Sequence, residues 1–516
     1  MNHRTLGLMI LILGALPTSC SFLGSSTSSS EGSNSISIEE ESEQEYLDFW
    51  EPDTQLHFSL TAPYESLKGI QDAYYSSSEA DDEIYYAADL IVDMVTSTYT
   101  KHYVLDDVGI RMKGNTSRTD FMNEDGSFYN LIHYKVSFDA FAPDRKFLGM
   151  KKLDMKWNRN YDATQIKQAY SYKMFESAGV LTPKSTLSPF TLTTTSLPGG
   201  GSSTVELGIY ELIEAVDKTF IKRRFSSTEE GGNLYKCTWG VYNGEWTGSD
   251  LRSSGAVTKN GSTYVATANG RIGIEVPDSG LYPNYKLKTN ESAADFSDLA
   301  TLIGVLNSTT DYGNATVLGQ IENLIDVDNF LRYEAVSYLL GDPDDTRNNY
   351  NNYYIYFTAS SHKAYFIPFD FDRCLGIVKD WNPSGDGMTS ASPFSSQALG
   401  NNGDQRNPLY KFLILSGGSA SYRQQYATYI ADLVKGEWFT DAHFKAMYDT
   451  YEASYHGLEP ASFKNVDNNE LYASWSLNET GDGTGNWDNL SFSNYRSRKY
   501  TTVFNALEAA YPSLLD

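Results

Sequence analysis

The chain has 516 residues, enough to bury one large core or two ordinary ones. Its 40% hydrophobic and 14% aromatic content excludes an intrinsically disordered polymer. A formal net charge of −26 excludes a general nucleic-acid binder, which needs a basic surface, and leaves room for divalent cations or basic protein partners.

The N-terminus carries Arg4, an apolar run from Leu6 to Leu16 and small residues before Cys20, the pattern of a secretory signal too short for a comfortable membrane span. Residues 17–20 (Pro-Thr-Ser-Cys) resemble a bacterial lipobox, although Leu16 stands four rather than three positions before the cysteine. That resemblance implies lipidation of Cys20 and a chain held on the outer face of the cell membrane; the alternative is a cleaved signal and a free secreted protein. Residues 21–45 are Ser-rich and acidic, as a tether would be. The remaining cysteines, Cys237 and Cys374, are too few for a disulfide framework, although one bridge between them stays open. The seven histidines show no HExxH or paired spacing, so a zinc site is not expected.

From Tyr46 the chain becomes patterned. "VGIRMKGNTS" (108–117) reads as a strand entering a turn, and "LIHYKVSFDAF" (131–141) and "KKLDMKWN" (151–158) as half-buried strands. "DATQIKQAYSYKMFESAG" reads as a helix capped by Asp162 and ended by Gly179. "STLSPFTLTTTS" and "VELGIYELIEAV" resume strand alternation. Residues from about 225 to 300, rich in Gly, Ser, Thr and Asn, read as inserted loops and short strands. "DVDNFLRYEAVSYLLGD" is a helix with Asp328 as N-cap and Gly341 as its end, and two further helices follow after 418. The Gly/Asp-rich stretch 476–490 reads as a solvent loop, with calcium binding as the less favoured alternative.

The chemistry concentrates at 341–376. "GDPDDTRNNYNNYYIYF" leads from a helix through an acidic loop into an aromatic strand; a turn and a returning strand end in "IPFDFDRCLG". A hairpin brings its ends together, so Asp345 and Asn352 fall near Asp370 and Asp372. A calcium EF-hand loop fails at its sixth and twelfth positions, Arg347 and Tyr353. Phosphoryl transfer needs this kind of set: hard oxygen ligands for Mg2+ and a separate carboxylate to orient a hydroxyl or take its proton. A helix, an Asp…Asn loop, a hairpin and then Asp-Phe is also the order of parts in the large lobe of a protein kinase.

Several motifs in order resemble the spore coat protein CotH family of atypical secreted protein kinases: "IRMKGNTS", "YKVSF" with "KKLDMKWN", "DATQIKQAYSYKMFESAGV", "LGIYELIEAVDKTFIKRRF", "GNLYK", "DPDDTRNNYNNYYIYF" and "IPFDFDRCLG". Phe369 stands where the family usually has Trp. The resemblance implies an α+β, two-lobed kinase-like fold over 46–516. Its small strand-rich lobe would span about 46–215, inserted loops 216–300, and a helical lobe 301–516. It implies ATP and Mg2+ or Mn2+ as cofactors, with Asp370 as metal ligand, Asp372 sharing the ion, Asn352 as second ligand and Asp345 as catalytic aspartate. Kinase loops place the asparagine five residues after the aspartate. Either this loop is longer and Asp345 works with Asn352, the pairing preferred because Asn352 abuts the strand, or Asp344 works with Asn349. On the nucleotide side Lys113, Gly114, Asn115, Thr116 and Ser117 are expected over the phosphates, Lys135 as the phosphate lysine and Glu214 near the adenine. The helix offers Gln165, Gln168 and Glu176 but no obvious glutamate partner for that lysine. The acceptor implied is a serine-containing protein, or the chain's own tether. A surface adhesin or structural envelope protein using the same fold without catalysis is the alternative; no carboxylate pair reads as a glycosidase.

Overall fold

The computed structural model describes residues 43–76, 84–114, 116–242, 245–252, 257–260, 263–266, 272–274, 283–401, 403–458 and 475–515. The signal segment, Cys20, most of the tether and Asn115 lie outside the described residues. Residues 43–45, expected to finish the tether, instead open helix α1 (Glu43–Phe49), which buries Tyr46 and Phe49.

The first half is a closed seven-stranded barrel. Its strands are β1 (Gln55–Pro63), β2 (Tyr86–Val95), β3 (Thr100–Lys113), β4 (His133–Ser137), β5 (Lys152–Trp157), β6 (Ser185–Thr195) and β7 (Ser203–Glu214), in the order β1-β2-β3-β4-β5-β7-β6. A parallel pairing of β1 with β6, Phe58 opposite Phe190, closes it and removes the free edges. Helix α2 (Tyr64–Ser76) adds Leu67 and Ile70 to the barrel's core. Strand period decides the rest: Phe58, Leu90, Ile110, Tyr134, Met155 and Leu212 fill the interior. The residues between them turn outward. Register sets Arg111 opposite Lys135, Lys135 opposite Asp154, and Lys156 opposite Glu211. The outer face of β3-β4-β5-β7 is thus a charged surface, and helix α3 (Lys167–Ser177) follows directly from β5.

Helix α3 starts later than its sequence suggests. Asp162 lies five residues upstream, yet its carboxylate accepts from the Lys167 N–H at 2.7 Å as well as from Thr164, so it still satisfies the helix's first free donor. After α4 (Lys218–Arg224), β8 (Asn233–Cys237) enters a second sheet. A small pair, β9 (Gly240–Tyr242) and β10 (Glu245–Thr247), intervenes. Then β11 (Val257–Asn260), β12 (Thr263–Ala266), β13 (Ile272–Gly273) and β14 (Tyr285–Leu287) extend that sheet on one side of β8. Helices α5 (Ser297–Leu306), α6 (Ala315–Leu324) and α7 (Val327–Leu340) follow, and the hairpin β15 (Tyr353–Phe357) and β16 (Ala364–Pro368) completes the sheet on the other side. Asp326, not Asp328, caps α7, accepting from the Asn329 N–H at 2.9 Å; Asp328 instead pairs with Arg332 one turn on. Gly341 ends α7 at φ +66°, a left-handed position, and its close approach to Tyr495 leaves no room for a Cβ. Helices α8 (Pro408–Leu413), α9 (Ala420–Lys435), α10 (Asp441–Tyr455) and α11 (Phe492–Ala510) pack around α7 and build the larger core. Both Cys237 and Cys374 are free and buried, which settles the open bridge.

Two expected features are corrected. The 476–490 stretch is not a plain solvent loop: Glu479 forms a buried ion pair with Lys167 at 2.6 Å, and Asn489 donates to the Asn160 carbonyl. Glu214, expected near a nucleotide, is a scaffold residue. Its carboxylate takes both Arg224 nitrogens (2.5 and 3.0 Å) and the Tyr46 hydroxyl (2.8 Å), and is itself almost fully buried. Removing one partner of such a pair strands the other charge. Glu214→Ala should therefore cost roughly 3–5 kcal/mol, read as a lowered denaturation midpoint.

Candidate active site

The hairpin ends are built by local backbone chemistry. Tyr353 pairs with Pro368, so Asn352 and Phe369 leave the sheet side by side. Asn352 (φ +55°) and Asp370 (φ +62°) both adopt the left-handed conformation, uncommon for non-glycine residues and typical of functional turns. The Asp370 turn aims its N–H at the Tyr172 hydroxyl on α3, which accepts it at 2.9 Å. The chain leaves the strand after Pro368 and turns through Asp370-Phe371-Asp372. Phe371 enters the core against Phe175, ring centroids 4.9 Å apart, while both aspartates turn toward the barrel.

There they meet Lys156. Its Nζ donates to Asp370 Oδ1, to Asp372 Oδ2 at 2.8 Å and to Gln168 Oε1 of α3 at 3.2 Å, and the side chain is only 5% exposed. Burial disfavours its charge, but Asp370, Asp372 and Glu211 more than compensate and hold it protonated. Burial would likewise raise Asp370; Lys156 and Lys113 instead pull it far below the usual carboxylate range. Lys156, Gln168, Glu211 and Asp372, with Leu187, Ile209 and the 157–160 segment, line a cleft of about 450 Å³ including its open mouth. Burial raises Glu211 to about 8, although Lys156 and a 2.5 Å hydrogen bond from the Ser185 hydroxyl oppose it.

The acidic loop divides its aspartates by burial. Asp345, the preferred catalytic residue from sequence, is 1% exposed and spends its oxygens inside the loop. Ser337 Oγ donates to one at 2.5 Å; the N–H groups of Arg347 and Asn348 and the Asn348 amide donate to the other. It shapes the turn. Asp344 is half-buried, and accepts from Asn349 (2.6 Å), Asn351 (3.0 Å) and Asn352 (3.0 Å). Burial raises it to about 6 against the pull of Asn349, Asn351 and Arg373, with Asp370 adding to the rise. The pairing of Asp344 with Asn349, five residues on, is thus the one that reaches the surface.

Asn352 suits a hard cation for a specific reason. An amide facing the Asp344 carboxylate must present nitrogen, and no donor among the described residues reaches its Oδ1. A carbonyl oxygen is a hard donor of the kind that Mg2+ or Mn2+ takes, as are the carboxylates of Asp370 and Asp372. Among the described residues no three acidic, histidine or cysteine side chains converge to hold an ion. The Lys156 ammonium stands between the two carboxylates that come nearest to doing so.

The other expected nucleotide residues separate. Lys113 reaches toward the site, with Nζ 5.0 Å from the Phe369 ring centroid and 3.5 Å from Asp154. Gly114 turns at φ +108° against Ser117, and neither it nor Thr116 or Ser117 lines the cleft. Lys135 pairs with the buried Asp154 at 3.1 Å, outside the cleft. The lysine at the aspartates is Lys156, which the sequence reading passed over. Alternation in "KLDMKW" placed it on the outward face with Asp154, but three lysines of that face were equivalent on pattern alone. Glu211 was missed for the same reason: three residues from Glu214 on one strand, it faces the opposite way.

The protein is thus a mixed α+β chain that gathers carboxylates, amides and a lysine at a hairpin end beside a barrel cleft. A family model described as CotH kinase protein matches residues 110–481, and the chain belongs to that family. A search of curated proteins finds no match.

Because the fold favours the neutral form of Glu211, ionising it costs stability. That cost is absent below about pH 4.5 and grows as pH rises through about 8. Glu211→Gln keeps an acceptor for Ser185 and cannot ionise. Its melting temperature relative to the native protein should be higher at pH 9 than at pH 5; a difference independent of pH would rule out the opposed ionisation.

Proposed function

We propose that this chain is a metal-dependent protein kinase. It transfers the γ-phosphoryl group of ATP to a serine hydroxyl of a protein acceptor, or of its own Ser-rich 21–42 segment, outside the cell and anchored through Cys20. The observation that carries this reading is the half-buried Asp344, raised by burial to about 6 and ringed by three asparagines, beside the Asp370–Asp372–Lys156 cluster. Family membership supports it independently.

Asn352, Asp370 and Asp372 would hold the cation. Bound there, it would supply charge neutralisation on the phosphate oxygens as the phosphoryl group transfers. Asp344 takes the proton of the attacking hydroxyl. The serine O–H bond breaks, a bond from that oxygen to the γ-phosphorus forms, the bond from that phosphorus to the bridging oxygen breaks, and ADP leaves with the electron pair. Asn349 and Asn351 hold the Asp344 carboxylate in place for this step. A base near pKa 6 is largely ionised at neutral pH yet basic enough to accept a proton. Lys156 neutralises phosphate charge, and Leu187 and Ile209 give the cleft an apolar wall.

Asp344→Asn should lower phosphate transfer by about 10²- to 10⁴-fold while leaving metal-dependent ATP binding intact by calorimetry. Native activity should rise with pH through about 6. Asp345→Asn should act differently, lowering the melting temperature because an amide cannot accept from all the donors that converge there. Absence of metal-dependent ATP binding by the native protein would sink the kinase reading in favour of an adhesin.

A further inference from the structure

Lys156 carries more than a phosphate contact. An ammonium has three donors, and here all three are spent: on Asp370 Oδ1, Asp372 Oδ2 and Gln168 Oε1. No N–H is left for a phosphate oxygen. One oxygen of each carboxylate is likewise taken, since Asp370 Oδ1 and Asp372 Oδ2 both accept from the Lys156 nitrogen. The ammonium is buried at 5% side-chain exposure, and leaving would separate it from both carboxylates, whose side chains are 30% and 29% exposed.

From this geometry we infer that Lys156 is a resident counterion that closes the cation site until nucleotide arrives. The inference rests on the reading that Asp370 and Asp372 take a divalent cation. With neither ligand present, Lys156 bridges the two aspartates, offsetting part of their charge, and joins the barrel to the hairpin end. A cation entering alone would have to expel the ammonium from its only carboxylate partners. The nearest alternative is Glu211, directly opposite on β7, whose carboxyl the fold holds neutral. A nucleotide entering alone would find the lysine unavailable and two bare carboxylates facing its phosphates once the lysine moved. Arriving together, the cation takes the carboxylates and the phosphates take the lysine, so neither the carboxylates nor the lysine is left without an opposite charge. The cleft therefore selects the metal–nucleotide complex over either component, by exchange of one buried cation for another. No bond is made or broken covalently in this exchange.

The test uses the full chain and Mn2+ alone, with no nucleotide, so its result does not depend on whether ATP is the ligand. Mn2+ affinity is measured by calorimetry for the native protein, Lys156→Met and Lys156→Arg. Methionine keeps much of the side-chain volume without charge; arginine keeps the charge. The expected result is Mn2+ binding at least about tenfold tighter to Lys156→Met than to the native protein or to Lys156→Arg. Equal or weaker Mn2+ binding by Lys156→Met overturns the inference. If that variant does not fold, as read from its melting curve, Gln168→Ala carries the test. It loosens the hold on Lys156 while leaving both carboxylates, and should bind Mn2+ alone about threefold tighter or better; unchanged affinity overturns the inference. Failure of the kinase reading would look different: no ATP binding by the native protein in the presence of Mn2+, whatever the variants do with the metal alone.

Discussion

One buried ammonium group holds the site together. Lys156 projects from the outer face of the barrel and finds two aspartates that arrive from the far end of a hairpin more than 200 residues later in the chain. Charges this deep are costly apart and tolerable only when paired and fully hydrogen-bonded. Each partner is therefore a condition for the other's placement. The left-handed turn at Asp370, the Tyr172 hydroxyl that accepts its N–H, and Phe371 anchored in the core all serve to deliver two carboxylates to one nitrogen.

The same constraint sorts the neighbouring acids into different trades. Asp344 and Asp345 are adjacent, yet one is ringed by amide donors at the surface and the other is sealed inside the turn by a hydroxyl and two backbone N–H groups. Glu211 and Glu214 share a strand, yet one faces the cleft as a neutral acid and the other clamps Arg224 and Tyr46 on the barrel's far side. Asp342, fully buried beside them with one oxygen unpartnered, has its carboxyl pushed well above the usual carboxylate range by burial and by Asp344. A chain with a net charge of −26 thus concentrates acids at one point by letting only some of them ionise.

Much of this was legible before the fold was known, where local rules are strong. Period-two alternation gave barrel strands β3 to β7 and the hairpin but not β1 and β2, Gly341 and Gly179 ended their helices, and the ordered motifs pointed to the family. Assignments failed where several candidates obeyed the same local rule. Lys113, Lys135 and Lys156 all face outward on adjacent strands, and only the seating of α3 and the hairpin against that face picks Lys156. Asp326 and Asp328 could each cap α7, and the chain's entry angle picks the first. Residues 476–490 read as solvent-loving because their contacts, Glu479 to Lys167 and Asn489 to the 160–161 backbone, span more than 300 positions.

By itself, then, the sequence determined which residue types would be present and on which face of each element they would lie, because strand and helix periods are properties of the backbone alone. It also determined that acids and amides would meet at one hairpin end, because a short turn forces that closure. Only the tertiary structure decided which carboxylate stays in water's reach and which is buried, and which lysine meets the aspartates. Burial and pairing depend on what packs against a face from elsewhere in the chain, and no local period encodes that.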